Sequence, residues 1–131
     1  MIPNLTTTTT PRAYNGHTSI FLPTIATIED VQTETALEKI FTVRLPGGQN
    51  LGHTPGQFVM VSVPGVGEAP ISVMSSPSRT GQTFKLCIRN AGDLTNIIHK
   101  LKPGSKIGIR GPFGRGFPVD VYKGKDVLIA A

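Results

Sequence analysis

A single cysteine, Cys87, no tryptophan and only 6% aromatic residues set the first limits on this chain. One thiol excludes an intrachain disulfide framework, and equally an iron–sulfur cluster or thiolate zinc site built by this chain alone. The default setting is then reducing and cytoplasmic. So few rings leave no strand with paired exposed aromatics on which bases would stack. No apolar run approaches the ~18 residues of a membrane span, and the N-terminus lacks the basic-then-apolar order of a secretion signal, so a soluble protein without a membrane span is expected. His17, His53 and His99 have neither metal-ligand spacing nor a carboxylate pair beside them, which favours solvated or capping roles and no metal site.

What is present points to short strands and many turns. The 131 residues suffice for one domain with its own core, and 15 Gly with 11 Pro exceed ordinary usage. A formal charge of +5 and a pI near 9.7 favour anionic partners, whether nucleic acid, an acidic protein or a phosphorylated cofactor. Residues 1–19 include the run Thr6 to Thr10 and have little to bury, so they are expected to be a disordered tail. From there the β-branched and aromatic stretches Ile25–Val31, Ile40–Leu45 and Phe58–Val63 are set apart by Pro46-Gly47-Gly48 and Pro55-Gly56. Ile71–Met74 and Phe84–Arg89 add two more strands, the second alternating Phe84, Leu86 and Ile88 against Lys85, Cys87 and Arg89. One helix is expected, with Leu94, Ile97, Ile98 and Leu101 at i, i+3, i+4 and i+7, Asp93 as its N-cap and Lys102-Pro103-Gly104 as its stop. A strand over Lys106–Arg110 follows, then the turn Gly111-Pro112-Phe113-Gly114. The apolar end Asp126–Ala131 resembles the first strand of a parallel, doubly wound sheet.

Two segments carry candidate chemistry. In Asn90-Ala91-Gly92-Asp93-Leu94-Thr95 a strand turns into the helix, and a helix start offers unpaired N–H groups and the positive end of the dipole to a phosphate. Gly92 permits close approach, the Thr95 hydroxyl adds a donor and Arg89 a charged fork. The plainer reading is an ordinary strand–turn–helix with a capping Asp93 and a solvated Arg89. In Gly67-Glu68-Ala69-Pro70-Ile71-Ser72, Pro70 lacks a ladder donor and Ser72 offers a small hydroxyl beside it, which a flat heteroaromatic ring would use. The plainer reading there is an edge strand with proline as a brake on aggregation.

Taken in order, these segments resemble the flavin domain of the ferredoxin–NADP reductase superfamily, most nearly the electron-transfer subunit of dihydroorotate dehydrogenase and the gamma-type subunits of sulfhydrogenases and anaerobic sulfite reductases. Pro70-Ile71-Ser72 stands for the family's Arg-Pro-x-Ser strand, and Arg89 with Gly92-Asp93-Leu94-Thr95 for its phosphate turn. Leu101 to Gly114 and Gly114-Arg115-Gly116-Phe117-Pro118 continue the likeness, which runs from about Ile25 to Ala131. The resemblance implies a mainly β fold, a six-stranded antiparallel Greek-key barrel with one short helix over residues 20–122. Residues 123–131 would then be the first strand of a truncated nicotinamide-binding domain.

It implies FAD, with Pro70, Ile71, Ser72, Ile88, Arg89, Gly92, Leu94 and Thr95 binding it and Ser72 beside the reacting N5 edge as the catalytic position. It further implies an oxidoreductase role in which hydride comes from NAD(P)H, held by the missing domain, and single electrons leave towards an iron–sulfur protein or subunit. Ala69 departs from the arginine common in relatives, so Arg89 and the helix start must neutralise more of the diphosphate. Ile71 replaces a stacking tyrosine with an aliphatic wall. The rival reading is a basic OB-like barrel binding RNA, which explains the charge but leaves Pro70–Ser72 and the terminal apolar strand without a role; on this balance no nucleic-acid partner is expected. A third reading keeps the fold as a protein adaptor without flavin.

Overall fold

The computed structural model describes residues 19–79 and 81–130; all but the last residue of the tail expected over residues 1–19 lies outside them. Six strands follow in chain order: β1 Thr24–Thr33, β2 Glu38–Arg44, β3 Phe58–Val63, β4 Gly67–Ser72, β5 Thr83–Arg89 and β6 Lys106–Phe113. Helix α1 Asp93–His99 stands between β5 and β6, helix α2 Val119–Tyr122 follows β6, and a 3-10 turn covers Pro46–Gly48. All pairings are antiparallel, in the order β4-β3-β6-β1-β2-β5.

The period of two sorts the side chains. Phe41 and Val43 of β2 and Phe84, Leu86 and Ile88 of β5 point inward, joined by Ala26 and Ile28, Val59 and Val61, and Ile107 and Ile109. Lys85, Cys87 and Arg89 alternate outward, as their spacing predicts. A bulge between Ile28 and Asp30 shifts the β1–β2 register and lets Val31 return to the core side. On α1, Ile98 is buried while Leu94, and Leu101 just beyond the helix, pack partly against the same cluster. One end of the core is thereby covered by the helix.

Four expectations need correction. The barrel is not closed: β4 and β5 are the two edges, and between them runs only the isolated bridge Val73–Leu86, with Met74 N–H donating to the Lys85 carbonyl at 3.0 Å. Pro70, having no N–H, removes one donor from that edge. The strand expected at Ile71–Met74 lies earlier, because Glu68, Ala69 and Pro70 pair with Ser62, Val61 and Met60 on β3 despite their low β propensity. Gly111 to Phe113 belong to β6 rather than to a turn, since Phe113 pairs with Phe58 across a bulge and their rings lie 5.8 Å apart. A second, four-residue helix stands beside the single one expected, starting after Pro118 and closed by an Asp120–Lys123 ion pair of 2.7 Å. Residues 126–130 form no ladder among the described residues, and Leu128 and Ile129 are exposed.

Candidate cofactor site

The open seam between β4 and β5 brings the two sequence-derived segments together, since α1 packs against both strands. On the β4 side, Pro70 and Ser72 are exposed on one face of the strand. Ile71 alternates to the other face, where it is half-buried against the core. Beyond Ser72 the chain is tied down at each step. Val73 N–H donates to the Gln57 carbonyl at 3.1 Å, and the Ser75 hydroxyl accepts Lys85 N–H at 2.9 Å. The Ser75 carbonyl meets His53 Nε2 at 2.9 Å. His53 is buried and among the described residues its Nδ1 has no hydrogen-bond partner, so Nε2 is the ring nitrogen that donates to the Ser75 carbonyl.

On the β5 side, Arg89 is 64% exposed at its side chain and its Nη1 lies 2.9 Å from Glu38 Oε1. Ile88, its neighbour, is in the core, and its carbonyl is taken by His99 Nε2 at 2.7 Å, so any ligand contact from Ile88 is left to the remaining main chain. The turn itself differs from expectation in two respects. Gly92, not Asp93, is the N-cap, and Asp93 is the first helical residue with its carboxylate exposed. The Thr95 hydroxyl is used internally: it accepts N–H bonds from Ala91 at 2.8 Å and Gly92 at 3.0 Å and donates to the Gly92 carbonyl at 3.1 Å. One donor and two lone pairs are all a hydroxyl has, so Thr95 shapes the turn rather than reaching outward. The donors heading the helix are then the N–H groups of Asp93, Leu94 and Thr95, which have no intrahelical acceptor.

Glycine at position 92 is not explained by the protein's own packing. Its φ of 176° is extended backbone, open to any residue, and an added Cβ would meet nothing within 4 Å. Gly108 is the opposite case: a Cβ there would collide with the Ser62 hydroxyl and come within 2.9 Å of the Pro23 ring. The space above Gly92, the exposed Arg89 and the free face of Pro70 and Ser72 together fit an elongated ligand with a flat end and a diphosphate.

Sequence reasoning passed over three residues that hold this arrangement. His99 anchors α1 to β5 through Ile88 and stacks at 6.0 Å from the Phe41 ring, while Lys39 Nζ donates to the His99 carbonyl at 2.9 Å and caps the far end of the helix. Glu38 engages Arg89. The spacing of Thr95 to His99, one helical turn, was a visible signal for His99; the β2–β5 register that brings Glu38 and Lys39 alongside leaves no local trace. Among the described residues no group of three His, Cys, Asp or Glu is placed to hold a metal ion, and no helix is long and apolar enough to cross a membrane.

Comparison with known proteins places this small antiparallel sheet, open between its edge strands β4 and β5, in the class of flavin-binding redox domains. Residues 24–117 match the oxidoreductase FAD-binding domain family, and the chain belongs to it. It is 48% identical over 104 residues to the sulfhydrogenase 1 subunit gamma of Pyrococcus furiosus, covering 77% of this chain and 35% of the relative. A probable dihydroorotate dehydrogenase B (NAD(+)) electron transfer subunit of Methanocella arvoryzae is 36% identical over 107 residues, covering 82% and 37%. Among solved structures, a ferredoxin-NADP+ reductase from Plasmodium falciparum superposes with a TM-score of 0.63 at 17% identity, over 80% of this chain and 45% of that one, which shows the shared fold. The chain spans little more than a third of the length of these two curated relatives. The cofactor of the domain is FAD and its chemistry is redox. The RNA-binding alternative finds no support in these comparisons and is set aside.

Proposed function

We propose that the chain holds FAD for a reductase that relays electrons between NAD(P)H and an iron–sulfur partner. The observation that carries this is the seam: the sheet is left open where Pro70 and Ser72 face outward, and among the described residues nothing lies within 4 Å of where a Cβ at Gly92 would stand. FAD, when bound, supplies two-electron acceptance and one-electron release. The protein's part is to bind and orient. Pro70 offers a flat apolar surface without a competing N–H, and the Ser72 hydroxyl donates to the reacting edge of the ring without acting as an acid or base. Ile71 supports that strand from the core side, and Leu94 does the same for the turn. Arg89, Gly92 and the amides heading α1 take the diphosphate.

Residues 123–131 are read as leading into a nicotinamide-binding domain, a reading supported by the greater length of the relatives and by the printed name of one of them, an electron transfer subunit of an NAD(+) enzyme. The iron–sulfur partner and the cytoplasmic setting rest on the likeness to such subunits and on the lone Cys87. Titrating the chain with FAD tests the site. A yellow, saturable complex is expected, and Thr95→Leu, which removes the hydroxyl that folds the turn, lowers the affinity more than His99→Gln at the far end of α1. A colourless chain that binds only protein partners would instead make it an adaptor.

A further inference from the structure

We infer that Glu38 sets how tightly the diphosphate is held, by occupying Arg89 and cancelling part of its charge. The inference rests on the FAD reading above. Glu38 and Arg89 are direct cross-strand partners on β2 and β5, and the carboxylate is the better buried of the two, 25% exposed against 64%. It is also the better anchored. Its Oε2 accepts the Thr35 hydroxyl, whose oxygen in turn accepts N–H bonds from Leu37 and Glu38, each at 3.1 Å. The hairpin tip that carries Thr35 is bound to the phosphate turn itself, because Asn90 N–H donates to the Leu37 carbonyl at 2.8 Å. A carboxylate held this way does not swing aside when a ligand arrives.

The charges around the turn give that fixed carboxylate its effect. Ala69 supplies no cation, Arg110 is committed to Glu68 at 2.6 Å and to the Ile20 carbonyl, and Lys39 reaches the opposite end of α1. Lys85 lies on the same exposed row of β5 but four residues back along the strand. Arg89 at the end of β5 is paired with the Glu38 carboxylate, and Asp93 in the first turn of α1 adds a further negative charge to the segment. A guanidinium has five donors, and Glu38 engages it through Nη1, so phosphate oxygens still find N–H groups to accept from, but against the repulsion of a negative charge on the same side chain's partner. Glu38 thus orients Arg89 and at the same time weakens its grip, which makes the cofactor exchangeable rather than permanently bound.

The test is an FAD titration of the wild-type chain, Glu38→Gln, Arg89→Gln and the double variant, at low and high salt, with riboflavin, which lacks the diphosphate, as control. Glu38→Gln keeps an oxygen for Arg89 and removes only the charge. Its FAD affinity is expected to rise roughly three- to tenfold at low salt, the order for one partly exposed charge, and the gain to shrink as salt screens it. The gain should be absent for riboflavin and in the Arg89→Gln background. Thr35→Val, which loosens the carboxylate without removing it, should give a smaller gain of the same sign. Unchanged or weaker FAD binding by Glu38→Gln, or a gain that survives loss of Arg89, overturns the inference while leaving the FAD reading intact. Failure of the wild-type chain to bind FAD at all overturns both.

Discussion

The sheet is held by different means along its two halves. From β3 through β6, β1 and β2 to β5, each strand is joined to the next by a continuous antiparallel ladder or one broken by a single bulge and turns apolar residues inward, so the wall is fixed by its own packing. Between β4 and β5 a single bridge and a few loop hydrogen bonds do the joining, and outward positions carry Pro70, Ser72, Arg89 and Gly92. Residues in the wall pack against one another, whereas the outward residues at the seam are the ones proposed to meet the cofactor. Substitutions on the two sides should separate stability from ligand affinity accordingly.

The largest effect lies in the wall. Phe41 is fully buried between β2 and the His99 ring, and Phe41→Ala is expected to lower stability by about 3–5 kcal/mol, most of what a small domain has. Urea unfolding followed by circular dichroism reads this directly. A loss under about 1 kcal/mol would mean that the core seen here is not the one that holds the protein together.

A pair of glycine substitutions sharpens the contrast. Gly108→Ala drives a methyl into Ser62 and the stiff Pro23 ring, so it should cost about 1–3 kcal/mol of stability and leave the FAD affinity of the folded fraction unchanged. Gly92→Asn should do the reverse. Asparagine is a favoured N-cap and the backbone there is extended, so the unfolding midpoint should stay within about 0.5 kcal/mol of wild type, while the side chain fills the space beside Arg89 and weakens FAD binding by about tenfold. Equal stability losses in both variants would show that Gly92 serves the fold after all.

The wall was largely legible in the sequence because it is written in local patterns. The alternation through Phe84 to Arg89 and the 3.6-residue spacing of Leu94, Ile98 and Leu101 both report a burial direction that depends only on neighbours along the chain. The seam was legible only through the order of its motifs, since neither Pro70 nor Gly92 shows locally whether it brakes an edge or admits a ligand. Where reasoning went astray, pairing was the cause. Gly67 to Pro70 became strand through their ladder with β3, Gly111 to Phe113 through theirs with Phe58, and the use of Thr95 for its own turn depends on where Ala91 and Gly92 sit after folding. Long-range register decides the first two, and no window of sequence contains it; the third is a local hydrogen-bond choice between turn and ligand that residue identity alone leaves open.

The smallest expected effect tests the outer surface of the wall. Arg44 donates its Nε to Glu29 at the β1 bulge and its Nη1 to Gln82 at 2.8 Å, and the hydrogen bond from Arg44 holds the Glu29 carboxyl below its usual range. A group whose folded state favours the charged form more than the unfolded chain does adds stability above its unfolded titration range, and that contribution fades as pH falls through the lowered folded value. The pair is exposed, so solvent screens it and the change should be slight. Unfolding midpoints of wild type and Glu29→Gln should therefore differ a little at neutral pH, with wild type the more stable, and converge on acidification. A difference that instead holds steady or grows towards acid would show that the Glu29–Arg44 pair is not the source of the neutral-pH advantage.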